Sequence, residues 1–141
     1  MTRTLDRTGS PSRPILVVDD EEVVRMLVSR ALVEAGHNVV EASDGAAALA
    51  LLESAMHDFE LVLCDLVMPG LNGRDLARWL AANRPEVPIV LISGYPVPYL
   101  QAHDLFDPGL TLLRKPFLPS RLLEAVEDAL ASTAARSPSS T

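Results

Sequence analysis

Asp19, Asp20, Asp65, Ser93 and Lys115 share one feature: each stands at or just past the end of a short apolar run. Ile15 to Val18 runs into Asp19-Asp20, Leu61 to Cys64 into Asp65, and Val87 to Ile92 into Ser93. Leu110 to Leu113 runs through Arg114 into Lys115. Carboxylates gathered at one place repel, and one of them loses its charge unless something compensates. A hard divalent cation with oxygen ligands does so, Mg²⁺ first and Mn²⁺ as the alternative. An ammonium adds positive charge, and a small hydroxyl can donate to a phosphoryl oxygen. Together these are the parts that stabilise charge during phosphoryl transfer. Asp65 stands alone at its run, which makes it the candidate nucleophile for an acyl phosphate. Asp19 and Asp20 are the candidates to hold the metal.

These residues meet only if the runs are parallel strands, whose C-terminal ends share the sheet edge where open α/β sheets bind ligands. The segments between the runs read as helices. Glu21 to Ala35 carries Val23, Val24, Leu27, Val28, Ala31 and Leu32 at helical spacing, with Gly36 as its stop. Asn38 to Ala42 reads as a second strand, and Ser43-Asp44-Gly45 opens a helix over Ala46 to Met56. A loop from Leu66 to Gly70 leads to Asn72, the expected cap of a third helix that ends near Asn83. Pro96 and Pro98 are expected to delay a short fourth helix around Tyr99 to Phe106, which Asp107-Pro108-Gly109 ends. The fifth strand reads as Leu110 to Leu113. Pro119 suits the first turn of a last helix whose face is Leu122, Leu123, Val126, Ala129 and Leu130.

The strands at Ile15, Leu61 and Ile89 are solidly apolar, not alternating, which fits burial on both faces. With right-handed crossovers, this order gives a doubly wound five-stranded parallel sheet with helices on both faces. The chain has 141 residues, 48% of them hydrophobic, enough for one domain. That domain is expected over residues 14–131, with a flexible lead at 1–13 and a flexible tail at 132–141. A net charge of −7 disfavours nucleic acid. No apolar run reaches the length of a membrane span. The single cysteine, Cys64, permits no intrachain disulfide and suits the cytoplasm. Beside Asp65 it is expected to be an inert buried thiol.

The motifs Ile-Leu-Val-Val-Asp19-Asp20-Glu, Leu-Val-Leu-Cys-Asp65-Leu-Val-Met-Pro-Gly, Leu-Ile-Ser93-Gly and Arg-Lys115-Pro-Phe resemble the receiver domain of two-component response regulators. The spacings agree too: 45 residues from Asp20 to Asp65, 28 to Ser93 and 22 more to Lys115. The resemblance implies a flavodoxin-like (βα)5 fold with strand order 2-1-3-4-5. It implies Asp65 as phosphoacceptor, Asp20 as direct Mg²⁺ ligand, Asp19 as holder of a metal-bound water, and the Val67 backbone carbonyl as a further ligand. Ser93 would be the switch hydroxyl and Lys115 its phosphoryl-pairing partner, followed by a cis bond to Pro116. The phosphodonor, a histidine kinase or a histidine phosphotransfer protein, would dock on Val24, Leu27, Pro116 and Phe117. A downstream protein of unspecified kind would read the switch, and the chain would be a monomer or weak dimer.

Two departures from the family pattern stand out. The aromatic residue usual three positions before the lysine is Leu112, which calls the usual hydroxyl-to-aromatic coupling into question. Tyr95, two residues after Ser93, is placed to shield the site from water. Ser93-Gly-Tyr95-Pro96 and Leu112 look more like receivers attached to, or partnering with, hybrid kinases. Met1 and the flexible lead favour a single-domain regulator; the receiver portion of a hybrid histidine kinase is the alternative. An aspartate-nucleophile phosphohydrolase fits less well, since it wants an Asp-x-Asp pair on the first strand. A phosphate-independent scaffold is kept alive by Leu112. No turnover of a free substrate is expected.

Overall fold

The computed structural model describes residues 13–54 and 56–135. The elements alternate without exception: β1 (Ile15–Val18), α1 (Glu22–Glu34), β2 (Val39–Ala42), α2 (Gly45–Glu53), β3 (Leu61–Asp65), α3 (Gly73–Asn83), β4 (Ile89–Ser93), α4 (Val97–Ala102), β5 (Thr111–Arg114) and α5 (Pro119–Ala135). All neighbouring strands pair in parallel, in the order β2-β1-β3-β4-β5. This is the doubly wound parallel sheet that the apolar runs and their connections imply, in the flavodoxin-like order that the receiver resemblance implies.

Two apolar layers sandwich the sheet. Ile15, Val17, Leu61, Leu63, Val90, Ile92 and Leu113 pack with Val28 and Leu32 of α1 and Leu122 and Val126 of α5. Leu16, Val18, Val62, Cys64 and Leu91 pack with Leu52 of α2, Leu76 and Leu80 of α3 and Leu100 of α4. The strand alternation sends successive side chains to opposite faces, and both faces are dry. Every residue of β1 and β3 is buried for that reason.

Local chemistry sets the helix ends. Asp44 accepts from the Ala47 N–H (2.7 Å) to cap α2. Asn72 and Asp75 form a reciprocal capping box at α3, at 2.9 and 3.1 Å. Gly36, at φ 98°, follows the end of α1 as expected. The fourth helix differs from its expected bounds at both ends. Pro98 lies inside its first turn, where no backbone donor is missed, so α4 starts at Val97. It stops at Ala102 because Asp104 adopts φ 54°, with Leu105 N–H bonding Leu100 O (2.8 Å) and Asp104 N–H bonding Gln101 O (3.2 Å). That is a Schellman closure with aspartate in the left-handed place usually given to glycine.

Other bounds shift less. α2 ends at Glu53, three residues before Met56, and β5 starts at Thr111 because Leu110 N–H turns back to Asp107 O (3.4 Å). α5 continues to Ala135, so residues 132–135 are helix and not tail. The expected lead at 1–13, apart from Arg13, and residues 136–141 of the expected tail lie outside the described residues. Arg78 pairs twice with Asp107 (2.8 Å each), and Arg74 bonds Asp104, so α3 holds the segment after α4.

Gly73 opens α3 against the end of β3. A Cβ there would stand 2.9 Å from the Asp65 carbonyl oxygen and 2.7 Å from Leu91 Cδ2. Gly73→Ala is therefore expected to destabilise the fold by about 1–3 kcal/mol through overpacking. Urea titration measures this; an unchanged midpoint would contradict the close approach.

Candidate functional site

The strand register carries the site residues to one edge. Val18 pairs with Cys64, so Asp19 and Asp65 follow side by side. Asp65 pairs with Ile92, the residue before Ser93, and Ser93 pairs with Arg114, the residue before Lys115. The Lys115 N–H donates to the Ser93 carbonyl (2.8 Å), which continues that ladder by one step. The Lys115–Pro116 peptide is cis.

The side chains converge from there. Asp19, Asp65 and Ser93 are nearly dry, at 2%, 6% and 1% exposed. Lys115 Nζ lies 3.6 Å from Asp19 Oδ2, 3.7 Å from Asp65 Oδ1 and 3.7 Å from Glu21 Oε1. Among the described residues, one oxygen each from Asp19, Glu21 and Asp65 fall within 4.8 Å of one another. Asp20 is exposed and does not belong to this group. Glu21, itself exposed, joins the group although the sequence did not single it out, and the charge of Asp20 still reaches Asp19 and Asp65.

The cause is an Asx-turn. Asp19 Oδ1 accepts the Glu21 N–H at 2.8 Å and folds the chain back on itself before α1. Glu21 is also the residue that precedes the first turn of α1, so its sequence context reads as a helix start and hides its second position. Val67 lies in the loop two residues after Asp65, its side chain half-buried against the α2–α3–α4 layer. The Ser93 hydroxyl oxygen accepts the Tyr95 N–H at 3.0 Å. Tyr95 in turn begins a column of rings, stacked on Tyr99 (4.7 Å), which stacks on His103 (4.0 Å). Leu112 is half-buried in the layer beside α4.

Burial dominates the electrostatics. It raises the Asp65 carboxyl from 3.8 to about 7, against the pull of Lys115 and with the push of Asp19, Asp20 and Glu21. Asp19 is raised by the same burial, against the Glu21 N–H and Lys115. Burial lowers Lys115, but Asp65, Asp19 and Glu21 outweigh it and the ammonium is held above its ordinary value. Burial also pushes the Cys64 thiol well up, with Asp65 and Asp19 adding to it, so this thiol is a poor nucleophile. One ammonium does not balance these acids. An all-oxygen donor set with surplus negative charge fits a hard divalent cation such as Mg²⁺.

An apolar hollow of about 600 Å³ adjoins the lysine, lined by Val24, Leu27, Val28, Ala31, Pro116, Phe117, Pro119 and Leu122 as well as Lys115. Leu27 is 63% exposed while Val28 is buried, and Val24 lies between them in exposure. Helical periodicity splits α1 in this way, one stripe to the core and one outward.

The fold and this edge define a doubly wound α/β domain with an acidic pocket at the C-terminal ends of its strands. The model of the response regulator receiver domain matches residues 15–127, and the chain belongs to that family. The sensor kinase CckA of Brucella abortus is 34% identical over 128 residues, covering 91% of this chain but 13% of that protein. The response regulator receiver protein CpdR of the same organism is 31% identical over 116 residues, covering 82% of this chain and 95% of that one. A response regulator receiver protein from Sinorhizobium medicae superposes with a TM-score of 0.77 at 29% identity, covering 86% and 97% of the two chains. The chain spans less than two thirds of several curated relatives it matches. Receiver domains are switches of two-component signalling that bind Mg²⁺ at an acidic pocket and work with histidine kinases or phosphotransfer proteins and downstream effectors. No helix among the described residues is long and apolar enough to cross a membrane.

The raised Asp65 carboxyl has a consequence for stability. Its pKa goes from 3.8 to about 7 on folding, so the folded chain holds that proton more tightly than the unfolded chain. The stabilisation is full below 3.8 and is lost as the pH rises through about 7. Without divalent cations, Asp65→Asn should therefore gain in melting temperature over the parent across that window. A difference that stays constant with pH would contradict the buried charge.

Proposed function

We propose that the chain is a phosphorylation-controlled switch that takes a phosphoryl group onto Asp65 from a phosphohistidine. The observation that carries this reading is the buried Asp65 carboxylate, with Lys115 at 3.7 Å and the Asp19 oxygens beside it at one sheet edge. An Asp65 oxygen attacks phosphorus, the phosphorus–nitrogen bond breaks, and its electron pair returns to the imidazole of the donor. Lys115 pairs with the oxygens of the incoming group. The Ser93 hydroxyl oxygen accepts from the Tyr95 N–H, and its proton would donate to another of those oxygens. Asp19, Asp20, Asp65 and the Val67 carbonyl would hold Mg²⁺, or Mn²⁺ in its place, and Glu21 is the acid the structure adds to that pocket. When bound, the cation offsets charge on these acids and on the transferring phosphoryl group.

The phosphodonor would be a histidine kinase or histidine phosphotransfer protein, seated on the hollow beside Val24, Leu27, Pro116 and Phe117. An unidentified downstream protein would distinguish the modified from the unmodified state. The proposal includes a cytoplasmic setting, a monomer or weak dimer, no nucleic acid and no turnover beyond self-phosphorylation and its reversal. A second reading, the receiver portion of a hybrid histidine kinase, is favoured by the match of 91% of the chain to part of a sensor kinase. Either way the chemistry at Asp65 is the same.

Incubation with Mg²⁺ and acetyl phosphate, followed by intact mass, tests the reading. The wild-type chain should gain one phosphoryl mass and Asp65→Asn none; no gain on wild type, or an equal gain on the variant, would overturn it. The phosphorylated form should also persist, because Val67 offers no polar group to orient water and Tyr95 stands near. A half-life of seconds or less would contradict that shielding, and Tyr95→Ala should shorten it.

A further inference from the structure

Asp19 is held by more than its neighbours in the pocket. Its N–H donates to Ala42 O (3.3 Å), its Oδ1 accepts the Glu21 N–H (2.8 Å), and its carbonyl oxygen accepts Arg25 Nη1 (2.7 Å). Arg25 lies in the first turn of α1, and its Nε donates to Glu41 Oε1 of β2 at 3.0 Å. Its side chain is 16% exposed; the contact with the Asp19 carbonyl is part-buried, while the contact with Glu41 is exposed.

We propose that Arg25 is a positioning residue for the acidic loop and sets its affinity for the divalent cation. The inference rests on the reading of the acidic pocket as a Mg²⁺ site. The carbonyl that Arg25 grips belongs to the peptide joining Asp19 to Asp20. Fixing that peptide plane fixes the direction in which Asp20 leaves and the turn by which Glu21 returns. A planar guanidinium reaches two acceptors in a fixed geometry, with Glu41 holding its other side. Among the described residues, Arg25 makes no hydrogen bond or ion pair with Lys115 or with a carboxylate oxygen of Asp19, Glu21 or Asp65, so it acts through the backbone.

The positioning role has a distinctive sign. Taken as a charge alone, Arg25 repels a cation, and its removal would tighten Mg²⁺ binding. Taken as a clamp, its removal loosens the ligand set and weakens binding. Residues that orient metal ligands typically change affinity by about 10- to 100-fold when removed.

The test is calorimetric titration of the metal-free full chain with Mg²⁺, with melting temperature measured alongside. Arg25→Ala should bind Mg²⁺ about 10-fold or more weakly. Arg25→Lys keeps the charge but not the fork, and should also bind more weakly than wild type. It decides the question if Arg25→Ala does not fold. Mg²⁺ affinity unchanged or tighter in a folded variant, including one whose melting temperature alone has dropped, would overturn the proposal. Acetyl phosphate separates this from the reading it rests on. Wild type that gains no phosphoryl group overturns the phosphoacceptor role of Asp65. Wild type that gains it while both variants bind Mg²⁺ normally overturns the clamp alone.

Discussion

Asp65 holds a carboxylate where burial alone would strip its charge, and Lys115 at 3.7 Å is the counterweight within the fold. That unbalanced pair organises the rest of the site. The lysine arrives because β5 pairs with β4 in a register that puts Arg114 beside Ser93, so the next residue overhangs the edge. Asp19 arrives because β1 pairs with β3. Neither depends on a long loop finding its place. The sheet is dry on both faces, and a one-residue slip would exchange its two apolar sets. The packing that specifies the register therefore also specifies the chemistry.

The surplus of acid makes the pocket receptive and strained at once. In a folded chain without cation, the Asp65 proton is held to about pH 7, and burial moves Asp19 in the same upward direction. A hard cation brought to the pocket would change that balance. The Ser93 hydroxyl links the pocket to the Tyr95 N–H, and Tyr95 opens the ring column over Tyr99 and His103. On β5, the half-buried Leu112 carries no polar tip. The far end of α4 is tied to α3 through the pairing of Arg74 with Asp104, and the chain beyond it through Arg78 and Asp107.

Much of this was legible in the sequence because it depends on strand ends and caps. Asp19, Asp65, Ser93 and Lys115 terminate apolar runs, and parallel pairing brings run ends together whatever the helices do. Asn72 and Gly36 announce their helix ends by residue type. What escaped depends on side chains that close local geometry. Glu21 enters the pocket through a two-residue turn made by Asp19, and a run of acids before a helix gives no sign of which one turns inward. Arg25 reaches across to β2, a contact no helical periodicity shows. α4 ends short of the proline-glycine pair that the sequence offers as its stop, because Asp104 takes a backbone conformation usually left to glycine.

The central claim is that one carboxylate of this crowded edge, and not its neighbours, receives the phosphoryl group. Borohydride reduces an acyl phosphate to the alcohol, so treatment of the phosphorylated chain converts the modified aspartate to homoserine, which peptide mass mapping locates. The account predicts homoserine at position 65 alone. Conversion of Asp19 or Asp20, or reduction of Glu21, would contradict it.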